Sequence, residues 1–263
     1  MKIHNFITLP LFLVLIACPQ NPNNEENGSS NSKLPDSPKE FELTMSDGGG
    51  MTPEWEEVYI SRDSAYWSFD RYKHETKIKW KLSDKEFDQF YDDLKAEKFD
   101  QIKSNCEGEV YDRGGISIRI IIDGEYYNID NSGNCFIKEK YAENYSNVVG
   151  LINKQIADHV NAQLIEVPLV VGDELLNSGY DVYVDVNQSS GSFHAHPDTT
   201  EMNFMMYPGF NQFVIRMNYR DSTNYYGSPA QFAYEQLFEE IDSSTQNVTI
   251  NWVDEKIDIQ VNN

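Results

Sequence analysis

The chain has 263 residues, 40% of them hydrophobic and 13% aromatic, and its 43 acidic against 21 basic side chains give a formal net charge of -22. A surface of that sign repels phosphate backbones, which excludes nucleic acid as an expected partner, and it rules out docking through a basic patch onto anionic lipid. The acidity serves solubility, or meets a cation or a basic partner.

Lys2 opens the chain with a positive charge, and Phe6 to Ala17 form an apolar run broken only by Thr8 and Pro10. A finished membrane-spanning helix needs about 20 apolar residues. This run is shorter and suits a cleaved secretory signal over residues 1–17, with small Ala17 before the cut. Leu15-Ile16-Ala17-Cys18 resembles the lipobox of bacterial lipoproteins. The resemblance implies that Cys18 is acylated and becomes the mature terminus, with the lipid bilayer as its partner. One acyl chain binds a membrane only marginally, at about 0.8 kcal/mol per buried methylene, whereas the three chains such proteins carry make attachment close to permanent. By the same resemblance, Pro19 in place of an aspartate directs the protein to the outer membrane, facing periplasm or exterior. Residues 18–40 are rich in Asn, Ser and Pro and lack apolar periodicity, so they are expected to form a disordered tether.

An α+β domain is expected over residues 41–164. Phe41–Met45 alternates like a strand until Ser46-Asp-Gly-Gly-Gly50 breaks it, and Val58–Ile60, Ala65–Phe69 and Lys77–Lys81 continue as a meander. Ser83-Asp-Lys-Glu86 has the spacing of a capping box, and Phe87, Phe90, Tyr91 and Leu94 then recur on one helical face. Asp123-Gly124 joins two strands, Ile116–Ile122 and Tyr126–Ile129, as a tight hairpin. A second helix covers about Lys140 to Ala162, turning Tyr141, Tyr145, Val148, Ile152, Ile156 and Val160 toward the antiparallel sheet. Cys106 and Cys135 form an even pair in an exported chain and are expected to be joined as a disulfide.

From residue 165 to 263 the pattern shortens to strands near Val167–Val171, Tyr180–Val186, Asn203–Tyr207, Phe213–Tyr219, Phe232–Ile241, Val248–Trp252 and Ile257–Val261. That rhythm predicts an all-β, immunoglobulin-like sandwich, although the Cys and Trp spacing of a true immunoglobulin domain is absent. Phe232–Ile241 suits a helix equally well.

Three constellations are candidates for chemistry. His194 and His196 point the same way on an extended chain and, with Asp198, can grip a transition metal; in a Gly, Ser and Thr loop they are equally two exposed histidines. Asn128, Asp130 and Ser132, then Gly133 and Glu139, mimic the ligand spacing of a calcium loop, which would make calcium a cofactor; a simple turn before Cys135 is the plainer account. Tyr225 and Tyr226, with Tyr180, Tyr183, Tyr207 and Tyr219, suit an aromatic platform for sugar rings or sheet packing.

Enzyme templates fail in turn: no Gly-x-Ser-x-Gly, no His-Glu-x-x-His and no phosphate-cradling Gly-Lys-Ser/Thr. The lipobox, Gly48–Gly50, the capped helix at Ser83, Val110-Tyr-Asp-Arg-Gly-Gly115 and Asn131-Ser-Gly133 together resemble small exported bacterial lipoproteins of unknown function, over Met1 to about Leu164. Asp112 and Arg113 are expected to pair across the Gly114-Gly115 turn. The leading expectation is a non-catalytic envelope protein that contacts a protein or glycan partner, and the rival is a hydrolase using unrecognised carboxylates. Catalysis of that kind needs two acids converging in a cleft.

Overall fold

A computed structural model describes residues 34–50, 54–108, 113–187, 193–223, 229–254 and 256–263, with backbone alone at 220–223 and 229–233. Cys18, Asp112, Tyr225 and Tyr226 lie outside the described residues. The protein is mostly β, with few helices and several antiparallel sheets. Residues 34–263 form one compact unit. Residues 34–40, expected to belong to the tether, are held to it: Pro35 O accepts from Tyr91 Oη at 2.9 Å, and the amides of Lys39 and Glu40 both donate to Asp123 Oδ1.

The first half contains strands β1 (Phe41–Gly48), β2 (Glu54–Ser61), β3 (Ala65–Arg71), β4 (His74–Trp80), β5 (Ser104–Cys106), β6 (Gly115–Ile122), β7 (Glu125–Asn131) and β8 (Cys135–Ile137). Its helices are α1 (Asp84–Ala96) and α2 (Ala142–Val160). Six strands form one antiparallel sheet in the order β4-β3-β2-β1-β6-β7. Alternation sorts its faces: Leu43, Met45, Val58, Ile60, Trp67, Ile78, Ile118 and Ile120 point inward and are buried.

Both helices cover that inward face. At the start of α1 the Ser83 hydroxyl accepts from the Glu86 amide at 3.3 Å while the Glu86 carboxylate accepts from the Ser83 amide at 2.8 Å, so two otherwise unpaired donors are satisfied. Phe87, Phe90, Tyr91 and Leu94 are buried beneath it, with Phe41 meeting the Phe87 ring edge-on at 5.2 Å. From α2, Val148, Ile152 and Val160 are buried, whereas Tyr141, Tyr145 and Ile156 pack at the margin of the same core. The β6–β7 turn has φ of 48° at Asp123 and 84° at Gly124, the left-handed pair that a two-residue hairpin requires. Beyond β7, β5 and β8 pair so that Cys106 lies opposite Cys135, and the two are joined as a disulfide.

The second half contains β9 (Ile165–Val171), α3 (Asp173–Leu176), β10 (Tyr180–Val186), β11 (Phe193–Ala195), β12 (Glu201–Met206), β13 (Gly209–Thr223), β14 (Pro229–Ile241), β15 (Asn247–Val253) and β16 (Lys256–Asn262). Two four-stranded sheets, β11-β10-β13-β14 and β12-β9-β15-β16, enclose one apolar cluster. Residues 232–241, equally suited to a helix in sequence, belong to β14, because pairing with β13 satisfies their backbone along a long hairpin. β9 and β15 run parallel, against the antiparallel rule of the other pairs.

The halves meet where β3 and β4 end. Thr76 Oγ1 donates to Phe210 O at 2.6 Å, the His74 ring stacks on Phe238 at 4.4 Å, and the Trp67 and Tyr207 rings lie 5.0 Å apart. Arg71, 6% exposed, pairs with Glu54 at 2.9 Å and donates to the Gln212 side chain. Gly209 sits tight against this contact, since a Cβ there would lie 3.2 Å from Thr76 Cγ2 and its φ is +126°.

Candidate functional site

With both helices on one face of the six-stranded sheet, the opposite face is left open among the described residues. Along central β1 the outward residues are Glu42, Thr44, Ser46 and Gly48, diminishing to no side chain at all. Their cross-strand neighbours are longer: Tyr59, Glu57 and Trp55 stand opposite Thr44, Ser46 and Gly48 on β2, and Arg119 and Ser117 stand opposite Thr44 and Ser46 on β6. Small side chains between taller ones make a trough. Two hollows lie in series along it: about 700 Å³ beside Glu42, Tyr59 and Tyr126, and about 370 Å³ over Thr44, Ser46, Glu57 and Arg119.

The walls are braced. Tyr59 and Tyr66 stack at 5.4 Å, Lys77 Nζ sits 3.7 Å from the Tyr66 ring centre, and the Tyr66 hydroxyl donates to Glu57 at 2.5 Å. Burial and that acceptor push the Tyr66 hydroxyl up to about 12, so it remains a donor. Opposite, Asp130 Oδ1 accepts from the hydroxyls of Ser117 and Ser132 and from the Ser132 amide. At the far end the Trp55 indole packs on Gly48, where a Cβ would fall 2.6 Å from a ring carbon, and stays 48% exposed. Tyr126 at the near end is 68% exposed.

On the inward face, past the end of the trough, Asp47 and Glu56 are cross-strand partners that line a separate hollow of about 340 Å³ with Glu54 and Phe69. Glu56 accepts from Trp67 Nε1 at 2.6 Å. Burial raises its pKa, the Trp67 hydrogen bond opposes the rise, and the Asp47 charge adds to it. The two glycine motifs read from sequence meet here, since Gly48 pairs with Gly115 and a Cβ on Gly114 would fall 2.8 Å from Gly48 O. The expected Asp112–Arg113 pair involves a residue outside the described ones; the Arg113 guanidinium donates to the backbone oxygens of Asn131, Gly133 and Cys135 and so fixes the following turn.

The calcium-like spacing is not wrapped around a point. Asn128 and Asp130 belong to β7, Cys135–Ile137 form β8, and Glu139 opens a 3-10 turn, so the twelve residues are drawn out along two strands while Asp130 is engaged by serines. His194 in β11 and His196 just past its end are both exposed, yet His194 stacks on Tyr183 at 4.4 Å and lies 3.8 Å from Asp181, while His196 faces Asp198 at 3.6 Å. Among the described residues no group of three or more His, Cys, Asp or Glu is placed to hold a metal ion. Of the other tyrosines, Tyr180 packs on Tyr219 and Tyr207 on Trp67, in separate places.

Trp55, Tyr59, Glu57 and Arg119 carry no motif, and the one sequence signal for them is the polar half of the alternation from residue 42 to 48. The chain matches no protein-family model, no curated protein and no solved structure.

Proposed function

We propose that this is an exported, lipid-anchored protein of the bacterial outer membrane that acts by binding, with the trough along β1 as its binding surface. The observation that carries the binding reading is the open sheet face with two hollows in line. Anchoring is supported by Lys2, the apolar run and Leu15-Ile16-Ala17-Cys18. We read the fold as an α+β unit followed by an immunoglobulin-like sandwich, supported by the two helices on one sheet and by the paired four-stranded sheets. Growth with an alkyne-bearing fatty acid tests the anchor. The native protein takes up label and sediments with membranes, and Cys18→Ala loses both; an unlabelled native protein overturns the reading.

A second reading is a hydrolase in which Glu56, its pKa raised by burial, acts as acid and Asp47 as base. It is favoured by the cross-strand placement of these two carboxylates beside a cleft. Release of reducing ends from an envelope glycan, abolished in Glu56→Gln and Asp47→Asn, would establish it. Intact glycan after prolonged incubation would remove it.

A further inference from the structure

We infer that the trough takes a linear glycan free of acidic groups, laid along β1 from Tyr126 to Trp55. This deepens, and rests on, the reading of the trough as the binding surface. Length comes first: Glu42 to Gly48 spans about 20 Å at the rise of an extended strand, room for several sugar rings in a row. An extended polymer fits two hollows in series, with the Trp55 ring exposed beyond them, better than a compact ligand does.

The chemistry of the walls narrows the choice. Sugar rings present one face of C–H groups, which packs on aromatic rings, and an edge of hydroxyls, which needs donors and acceptors. Trp55 supplies a ring held in place by Gly48 yet half open to solvent, and Tyr126 supplies another at the opposite end. Between them stand Thr44, Ser46, Glu57, Arg119, Asn128 and Asp130, which offer donors and acceptors in alternation. A peptide strand cannot be added here, because β1 already pairs on both edges with β2 and β6. Charge disfavours acidic polymers: Glu40, Glu42, Glu57, Asp63 and Asp130 line the trough against Lys39, Arg62 and Arg119, in a chain whose formal charge is -22.

Titration calorimetry of the folded protein with cellohexaose and with chitohexaose, both uncharged, tests the inference. At least one is expected to bind; Trp55→Ala should weaken that binding tenfold or more, and Ser46→Trp, which fills the floor without touching the core, should abolish it. Oligogalacturonate of equal length should not bind, and Tyr234→Ser, on the second half, should bind as the native protein does. Circular dichroism must show both trough variants folded, and Thr44→Trp replaces Ser46→Trp if the latter fails to fold. Binding of oligolysine, lost in the floor-filling variant, with no heat from either sugar would overturn the glycan and keep the trough. No heat from any of these probes, or heats unchanged by both trough variants, would overturn the trough itself.

Discussion

Replacing Arg71 by Met keeps the aliphatic stem and removes the guanidinium that ties the two halves together. In the native protein that group is 6% exposed, pairs with Glu54 at 2.9 Å, donates to Gln212 and lies 4.8 Å from the Phe69 ring centre. Gln212 is 3% exposed, so loss of its donor leaves a buried carbonyl that water cannot reach, a cost of about 1–3 kcal/mol. Glu54 keeps partial access to solvent and adds less, so the total falls near the lower end of the ~3–5 kcal/mol for breaking a buried pair. A loss of about 3 kcal/mol should lower the melting temperature by roughly 6–12 °C for a fold of this size. Calorimetry reads the shift, and Arg71→Met with Gln212→Leu should recover about 1–2 kcal/mol because the orphaned carbonyl is gone. A single variant melting within about 2 °C of the native protein, or a double variant no better than the single, would refute the assignment of Arg71 as the internal tie.

Thiol labelling without reductant should find neither Cys106 nor Cys135 reactive, and reduction should cost about 3.5 kcal/mol of stability, read by urea unfolding. Ser83→Ala removes one half of the capping box and should cost about 1 kcal/mol, read in the same way. Glu56 has a pKa raised above its ordinary 4.5, so the folded state holds its proton more tightly than the unfolded chain does. Its contribution is therefore present below 4.5 and lost as pH rises through the higher, folded-state value. Glu56→Gln, which can still accept from Trp67, should exceed the native stability at pH 7 and lose that advantage below 4.5; an advantage independent of pH would contradict the burial argument.

Local signals were legible where local chemistry decides. Ser83 and Glu86 cap α1, Asp123-Gly124 turns the hairpin, and Cys106 meets Cys135, each set by residue type at short range or by a pair with one possible partner. The trough was not legible, because it exists only once β2 and β6 flank β1, and strand order across a sheet leaves no trace in the alternation of a single strand. β5 and β8 are three residues each and escaped notice for a related reason: their pairing is secured by a crosslink and by Arg113, not by an apolar pattern. Residues 232–241 were undecided between helix and strand because Phe232, Glu235, Gln236 and Glu239 fit either period, and their pairing with β13 settled the matter.

Site-specific photo-cross-linking in the native envelope bears most directly on the working surface of this protein. Photoreactive side chains at Thr44 and Ser46, on the trough floor, should capture an adduct, while the same groups at Met202 and Tyr234, exposed on the second half, should capture none. Adducts from positions 202 and 234 with none from 44 and 46 would show that the protein works through its other half and that the open face of the sheet is only its outside.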